Sequence, residues 1–167
     1  APLRFMAAFW DRAQLRRRFE EATAASSMMV TCDASPWGYG ATLAHASSGK
    51  VLQFIAEQVS EEDVARWGHP RGDSAGQQVW ELMAVLLALR VWGHLLRGSE
   101  ARVRTDSVTA MRACEKLASP SEQLNGLAAE LVLTIEEFNV VVRPEHIPGV
   151  LNKTADALSR RFEPGSP

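Results

Sequence analysis

Cysteine is scarce in this chain: its 167 residues hold two, Cys32 and Cys114. One falls in a strand-like stretch and the other in a helix-like one, so no disulfide framework is expected. A reducing, intracellular setting fits better. Long apolar runs are also missing. The longest, residues 82–89, stops at Arg90 and is too short to span a bilayer, so no membrane is expected. No secretory leader is visible at the start, where Arg4 and Trp10-Asp11-Arg12 stand in place of an apolar segment and a cleavage site. An excess of positive charge is absent too. The net charge is −2 and the pI about 6.1, which argues against tight unaided binding to nucleic acid. The basic residues are unevenly spread, with Arg12, Arg16, Arg17 and Arg18 crowded near the N-terminus, a pattern that a solvated helix face also produces. Repeats and low-complexity tracts are absent as well.

What is present is an ordinary globular composition, 46% hydrophobic and 23% charged, at a length that fits one domain. Residues 1–27 read as an N-terminal connector. Its amphipathic helix has Phe5, Phe9, Trp10 and Leu15 as anchors, and a small polar linker follows at residues 22–27. The domain proper covers residues 28–162, and 163–167 is a tail. Strand runs are expected at 28–34, 39–46 and 50–59, the last two joined by a turn at Ser47-Ser48-Gly49. Residues 60–76 read as a loop with one short helix after Ser60. Ser74-Ala75-Gly76-Gln77 fits a capping box. The helix it opens, to about residue 96, is apolar nearly all round and belongs at the centre of a domain. Glu81, read as part of its first turn, is conspicuous there. A strand at 102–105, a helix at 107–117, a second capping box at Ser119-Pro120-Ser121-Glu122 with a helix to 138, and a strand at 140–143 follow. Asn152 caps a last helix to about residue 162. A meander followed by alternating strands and helices predicts an α/β fold with a mixed sheet and helices on both faces.

Four carboxylates mark four separate motifs. They are Asp33 in Thr31-Cys32-Asp33-Ala34-Ser35, Glu81 in Trp80-Glu81-Leu82, Asp106 in Arg104-Thr105-Asp106-Ser107, and Asp156 in Ala155-Asp156-Ala157-Leu158-Ser159-Arg160. A fold that converges them gathers negative charges that repel and raise one another's pKa. Hard divalent ions with oxygen ligands relieve that repulsion. Two such ions about 4 Å apart are the machinery of phosphodiester hydrolysis.

The segment Thr31 to Ala41, with its Asp-Ala-Ser-Pro-Trp-Gly core, resembles the first motif of ribonuclease H domains in retrotransposon reverse transcriptases of the gypsy-like and DIRS-like kinds. His146-Ile147-Pro148-Gly149, then Asn152 and the Ala155 to Arg160 segment, resemble their last motif, with the family's ten-residue step from His146 to Asp156. Glu81 and Asp106 supply the middle motifs in order. The resemblance covers residues 28–162 and implies a ribonuclease-H-like fold, a five-stranded mixed sheet with the first, fourth and fifth strands side by side at its centre. It implies cleavage of the RNA strand of RNA–DNA hybrids, leaving a 3′-hydroxyl and a 5′-phosphate. Two Mg²⁺ ions, replaceable by Mn²⁺, would be held by Asp33, Glu81, Asp106 and Asp156, with Asp33 bridging them. His146 would sit on a mobile loop and move protons or help product leave, while Ser35 and Asn152 would touch the substrate backbone. The implied partner is a polymerase domain of the same polyprotein, on the side of residues 1–27. The isolated domain is expected to be monomeric, and its setting a cytoplasmic retroelement particle with a nuclear phase. Cellular relatives often carry a basic protrusion where this chain has only Ala118-Ser119-Pro120, and residues 60–76 are longer than the family leads one to expect.

Each residue also has a plainer reading. Glu81 suits a helix dipole, Asp106 a helix N-cap, and Asp156 a helix surface. His146 could serve a loop hydrogen bond, and Ser35 and Asn152 a turn and a cap. Two other functions compete. One is a catalytically silent ribonuclease-H-like tether, which would have lost carboxylates that this chain retains. The other is a DNA nuclease or transposase on the same fold, which would lack the Ala-Asp-Ala-Leu-Ser-Arg ending.

Overall fold

Period-two patterning builds the sheet around its first strand. In β1 (Ala25–Ala34), Val30, Cys32 and Ala34 point to one face, and Thr31 and Asp33 to the other. The computed structural model describes residues 25–119 and 121–166. The amphipathic helix and arginine cluster expected before them, and Pro120 of the second capping box, lie outside the described residues. β2 (Gly38–His45) runs antiparallel to β1, and β3 (Val51–Gln58) antiparallel to β2. The expected turn joins them, with Gly49 supplying φ of 69°, a value side chains disfavour. β4 (Glu100–Thr105) is parallel to β1, and β5 (Val141–His146) is parallel to β4.

The order is β3-β2-β1-β4-β5, a five-stranded mixed sheet as expected. The first, fourth and fifth strands do adjoin, but not at the centre. β1 is the middle strand and β5 an edge, because among the described residues no strand pairs with the outer side of β5.

Five helices complete the fold among the described residues. α1 (Glu61–Trp67) is the short helix expected after Ser60, whose side chain accepts from the Asp63 amide in a full capping box. α2 (Gln77–Leu96), α3 (Val108–Lys116) and α4 (Glu122–Phe138) share one face of the sheet, and α5 (Lys153–Ser159) covers the other. α2 fills the centre. Its Trp80, Leu82, Val85, Leu86, Leu89, Trp92 and Leu96 are buried against Val30 and Cys32 of β1 and Leu127 and Leu131 of α4. Each such side chain contributes roughly 1.5–3 kcal/mol, most of it offset by lost chain entropy. By length and mean hydropathy, 1.5, Ser74–Leu96 would suffice to cross a bilayer, although the uncharged run 82–89 within it is short. In this fold 67% of its apolar window is buried, as a core helix requires.

Two caps differ from expectation. Ser74–Gly76 forms a separate 3-10 turn, capped by Asp73, whose side chain accepts from the Ala75 amide. Gly76 then takes the cap position of α2 and brings no side chain to it. α4 is capped by Ser121, not Ser119; the Ser121 hydroxyl accepts from the Leu124 amide.

Glycine on β2 lets α5 lie directly on the sheet. A Cβ at Gly38 would stand 2.8 Å from the Ser159 carbonyl oxygen. One at Gly40 would stand 2.6 Å from the Ser159 nitrogen and closer still to the Ala155 carbonyl. This backbone-to-backbone approach brings the last sequence motif over the first.

Candidate active site

Three carboxylates from three elements converge where β1 and β4 end. Asp33 is the penultimate residue of β1, Asp106 follows the last residue of β4, and Glu81 projects from α2. One oxygen of each lies within 4.8 Å of the others. Asp33 is held on both sides. The Ser159 hydroxyl donates to its Oδ2 at 2.6 Å, and the Asn152 amide donates to its Oδ1 at 3.1 Å. The same amide nitrogen lies 3.3 Å from Asp106 Oδ1 and 3.1 Å from the Cys32 carbonyl. Glu81 is steered by Gln77 one helical turn earlier. The Gln77 Nε2 donates to Glu81 Oε1 at 2.7 Å and to the Ala34 carbonyl at 2.6 Å, tying the start of α2 to the end of β1.

Two of the plainer readings fail on this geometry. Glu81 is the fifth residue of α2, beyond the first turn where the helix dipole acts. The cap of α3 is Ser107, whose hydroxyl accepts from the Ala110 amide, so Asp106 is free of capping duty.

Burial sets the electrostatics. It pushes Glu81 up to about 8, with the Asp33 and Asp106 charges adding to the rise. Burial likewise pushes Asp33 up to about 6, against the Ser159 hydrogen bond, with Asp106 and Asp156 adding to it. Glu81 Oε2 and Asn152 Oδ1 are buried without a hydrogen-bond partner. Orphaned acceptors beside crowded carboxylates are satisfied by a hard cation, which takes oxygen ligands and removes the repulsion. The residues present therefore fit a divalent metal centre.

A pH dependence follows. Both folded-state values lie above the ordinary carboxylate range, so the folded protein binds protons more tightly than the unfolded chain. The stability this confers is complete below about pH 4 and is lost as pH rises through about 6 and then about 8. Thermal melts in EDTA should therefore fall by several degrees between pH 5.5 and pH 8.5, and added Mg²⁺ should restore more at the higher pH. A melting temperature that is flat or rises over that window would contradict the site's electrostatics.

Asp156 stands apart from the three. Its carboxylate accepts from Arg160 Nε at 2.6 Å, though its charge still reaches Asp33. His146 is not on a loop tip. It ends β5 opposite Thr105, exposed, with a ring nitrogen 3.1 Å from the Asp106 carbonyl oxygen. Ser35 is not open to solvent. It is 1% exposed, donates to the Ser159 carbonyl at 2.8 Å and accepts from the Trp37 and Gly38 amides, so it clamps the turn after β1 to α5. Asn152 occupies the cap position of α5 without a side-chain cap bond, because its amide is turned into the cluster. With 1% exposure it is buried against the carboxylates it bonds. Gln77, Ser159 and Arg160 were not among the expected site residues. The i, i+4 steps from Gln77 to Glu81 and from Asp156 to Arg160 carry a local signal for two of them.

The chain matches, over residues 23–138, the family described as RNase H-like domain found in reverse transcriptase. Among solved structures it is similar to RNase H1 from the halophilic archaeon Halobacterium salinarum NRC-1, at 16% identity over 81% of this chain and 96% of that one, with a TM-score of 0.63. It is also similar to LC11-RNase H1, isolated from compost by a metagenomic approach, at 21% identity over 81% and 94% of the two chains, TM-score 0.61. The same enzyme in complex with an RNA/DNA hybrid matches at 21% identity over 78% and 92%, TM-score 0.55. At such identities the likeness establishes the fold. No curated protein matches the chain in sequence.

Proposed function

The chain belongs to the RNase H-like domains found in reverse transcriptases, and from that premise we propose that it is a ribonuclease H, hydrolysing the RNA strand of RNA–DNA hybrids during reverse transcription of a retroelement. The observation that carries this reading is the buried convergence of Asp33, Glu81 and Asp106 within 4.8 Å, with an unpartnered carboxylate oxygen inside it. Asp33, Glu81, Asp106 and Asp156 would hold two Mg²⁺ ions, with Mn²⁺ able to substitute. Bound there, the ions supply a water nucleophile at neutral pH and stabilise charge on the phosphodiester oxygens. The chain's own residues do the rest. Asn152, Ser159 and Gln77 hold the carboxylates in place before substrate arrives. Water oxygen joins phosphorus as the bond to the 3′-oxygen breaks, and that oxygen gains a proton to leave a 3′-hydroxyl and a 5′-phosphate. His146, exposed beside Asp106, is suited to move that proton. The RNA/DNA hybrid bound by LC11-RNase H1 supports the substrate class.

The net charge of −2 leaves little attraction for phosphates. Weak, salt-sensitive hybrid binding by a monomeric domain, strengthened by a polymerase domain in the same polyprotein, belongs to this reading. So does a setting in a cytoplasmic retroelement particle with a nuclear phase. A silent tether is disfavoured, since such a module has no use for four retained carboxylates.

The test is a gel assay with labelled RNA–DNA hybrid, and with duplex RNA and duplex DNA as controls. Mg²⁺ or Mn²⁺ should support cutting of the RNA strand, EDTA should stop it, and Ca²⁺ should not replace them, because its looser coordination misplaces the attacking water. Hybrid left intact in Mg²⁺ and Mn²⁺, at low salt and high enzyme, would overturn the reading.

His146→Ala should lower turnover roughly 10- to 100-fold, short of the full contribution of general acid–base catalysis, and leave metal affinity unchanged. Calorimetry showing weakened metal binding would make His146 a ligand instead. Unchanged turnover would reduce it to its hydrogen bond with Asp106.

A further inference from the structure

The fourth carboxylate stands outside the cluster and already has a cation. Asp156 and Arg160 pair at 2.6 Å in the acid-before-base order at i, i+4 that helices favour. Arg160 also leans toward Glu163, at 3.7 Å. The three clustered carboxylates, by contrast, are held by the neutral donors Ser159, Gln77 and Asn152. The pair is open to water, with Arg160 53% and Asp156 43% exposed, so it can exchange partners at small cost. It is still within electrostatic reach of the cluster, since the Asp33 carboxyl feels both the Asp156 and the Arg160 charge.

Resting on the two-ion reading above, we propose that Arg160 is an internal counter-ion that a second divalent cation must displace from Asp156. The domain then loads in order. A first ion binds Asp33, Glu81 and Asp106, where no guanidinium of the described residues intervenes. A second binds only as the Asp156–Arg160 pair opens. A single positive charge on Asp156 both occupies the ligand and repels the incoming ion. Its grip is weak enough to yield to millimolar-range cation, because the pair is exposed and screened.

The test is calorimetric titration of the metal-free domain with Mn²⁺, with bound ions counted by electron paramagnetic resonance. Wild type should show a tighter and a weaker event. Arg160→Gln should tighten the weaker event about three- to tenfold and shift the tighter one much less, since Arg160 reaches Asp33 only through its charge. Arg160→Lys, which keeps the charge, should resemble wild type. Arg161→Gln, an exposed neighbour, should change neither event. An unshifted weaker event in Arg160→Gln, an equal shift in Arg161→Gln, or a single event in wild type would each overturn the counter-ion. Hybrid cleavage in Mg²⁺ separates this from the nuclease reading. A domain that titrates as expected but leaves hybrid uncut keeps the counter-ion and loses the ribonuclease. A domain that cuts with the weaker event unshifted does the reverse.

Discussion

Asp33→Asn should abolish the proposed hybrid cleavage and leave the domain as stable as wild type in EDTA. Asp33 is the carboxylate on which the other motifs close. It takes hydrogen bonds from Ser159 and Asn152, both on or beside α5, and it lies within 4.8 Å of Glu81 and Asp106. An amide of the same shape keeps the packing but removes the charge that a shared ligand must supply. Losing several kcal/mol of transition-state stabilisation corresponds to a fall on the order of 10³-fold or more. The fold does not suffer in parallel. Burial and the neighbouring carboxylates already push Asp33 up to about 6, so without metal its charge is a liability above that pH. Ser159 also has a second acceptor within reach, the Asp156 carbonyl at 2.9 Å, should an amide nitrogen turn toward it. The check is paired: initial rates in Mg²⁺, and melting temperature in EDTA at pH 8. Activity within tenfold of wild type would remove Asp33 from the metal centre. A marked drop in melting temperature would show that its role in the fold had been misjudged.

The parts of the site visible in the sequence are those whose chemistry sits at the end of a regular element. Asp33 closes a β-patterned run and Asp106 ends another, so both announce themselves as strand-end carboxylates. Glu81 stands out because the residues that follow it on α2, up to Arg90, are all apolar. The supporting residues were less visible because their partners are distant in sequence. Ser35 binds the Ser159 carbonyl, 124 positions away, and Asn152 reaches Asp33 across 119. A short polar residue before a helix looks the same whether it caps that helix or turns into a cluster, and Asn152 does the second. Gln77 likewise reads as part of a cap until β1 is placed beside it. The strand neighbours were legible through the resemblance, whereas the edge position of β5 depends on what does not pair with it. The close approach of α5 to β2 was not read at all, although Gly38 and Gly40 mark it.

Gly40→Ala should destabilise the domain and impair the site, against the usual expectation for a strand. Glycine in a strand interior normally weakens it, so alanine should help by propensity alone. Here the added methyl meets backbone, the Ala155 carbonyl and the Ser159 nitrogen, and backbone cannot rotate away as a side chain could. α5 must lift, and α5 with its flanking turn carries Asn152, Asp156 and Ser159. Overpacking of this kind costs about 1–3 kcal/mol or more, which at this chain length lowers the melting temperature by roughly 2–12 °C. Cleavage should fall further than stability alone would explain, because the lifted helix takes the two hydrogen bonds on Asp33 with it. Gly126→Ala is the matched comparison. Gly126 is exposed on α4, and its added methyl would meet only the Trp67 ring, at 3.9 Å. There alanine should raise stability by up to about 1 kcal/mol through helix propensity, with cleavage unchanged. Thermal melts of the two variants in EDTA, beside rates in Mg²⁺, decide the matter. If Gly40→Ala melts at or above wild type, α5 does not rest on β2 as closely as this geometry has it, and the route that brings Asn152 and Ser159 to Asp33 is wrong.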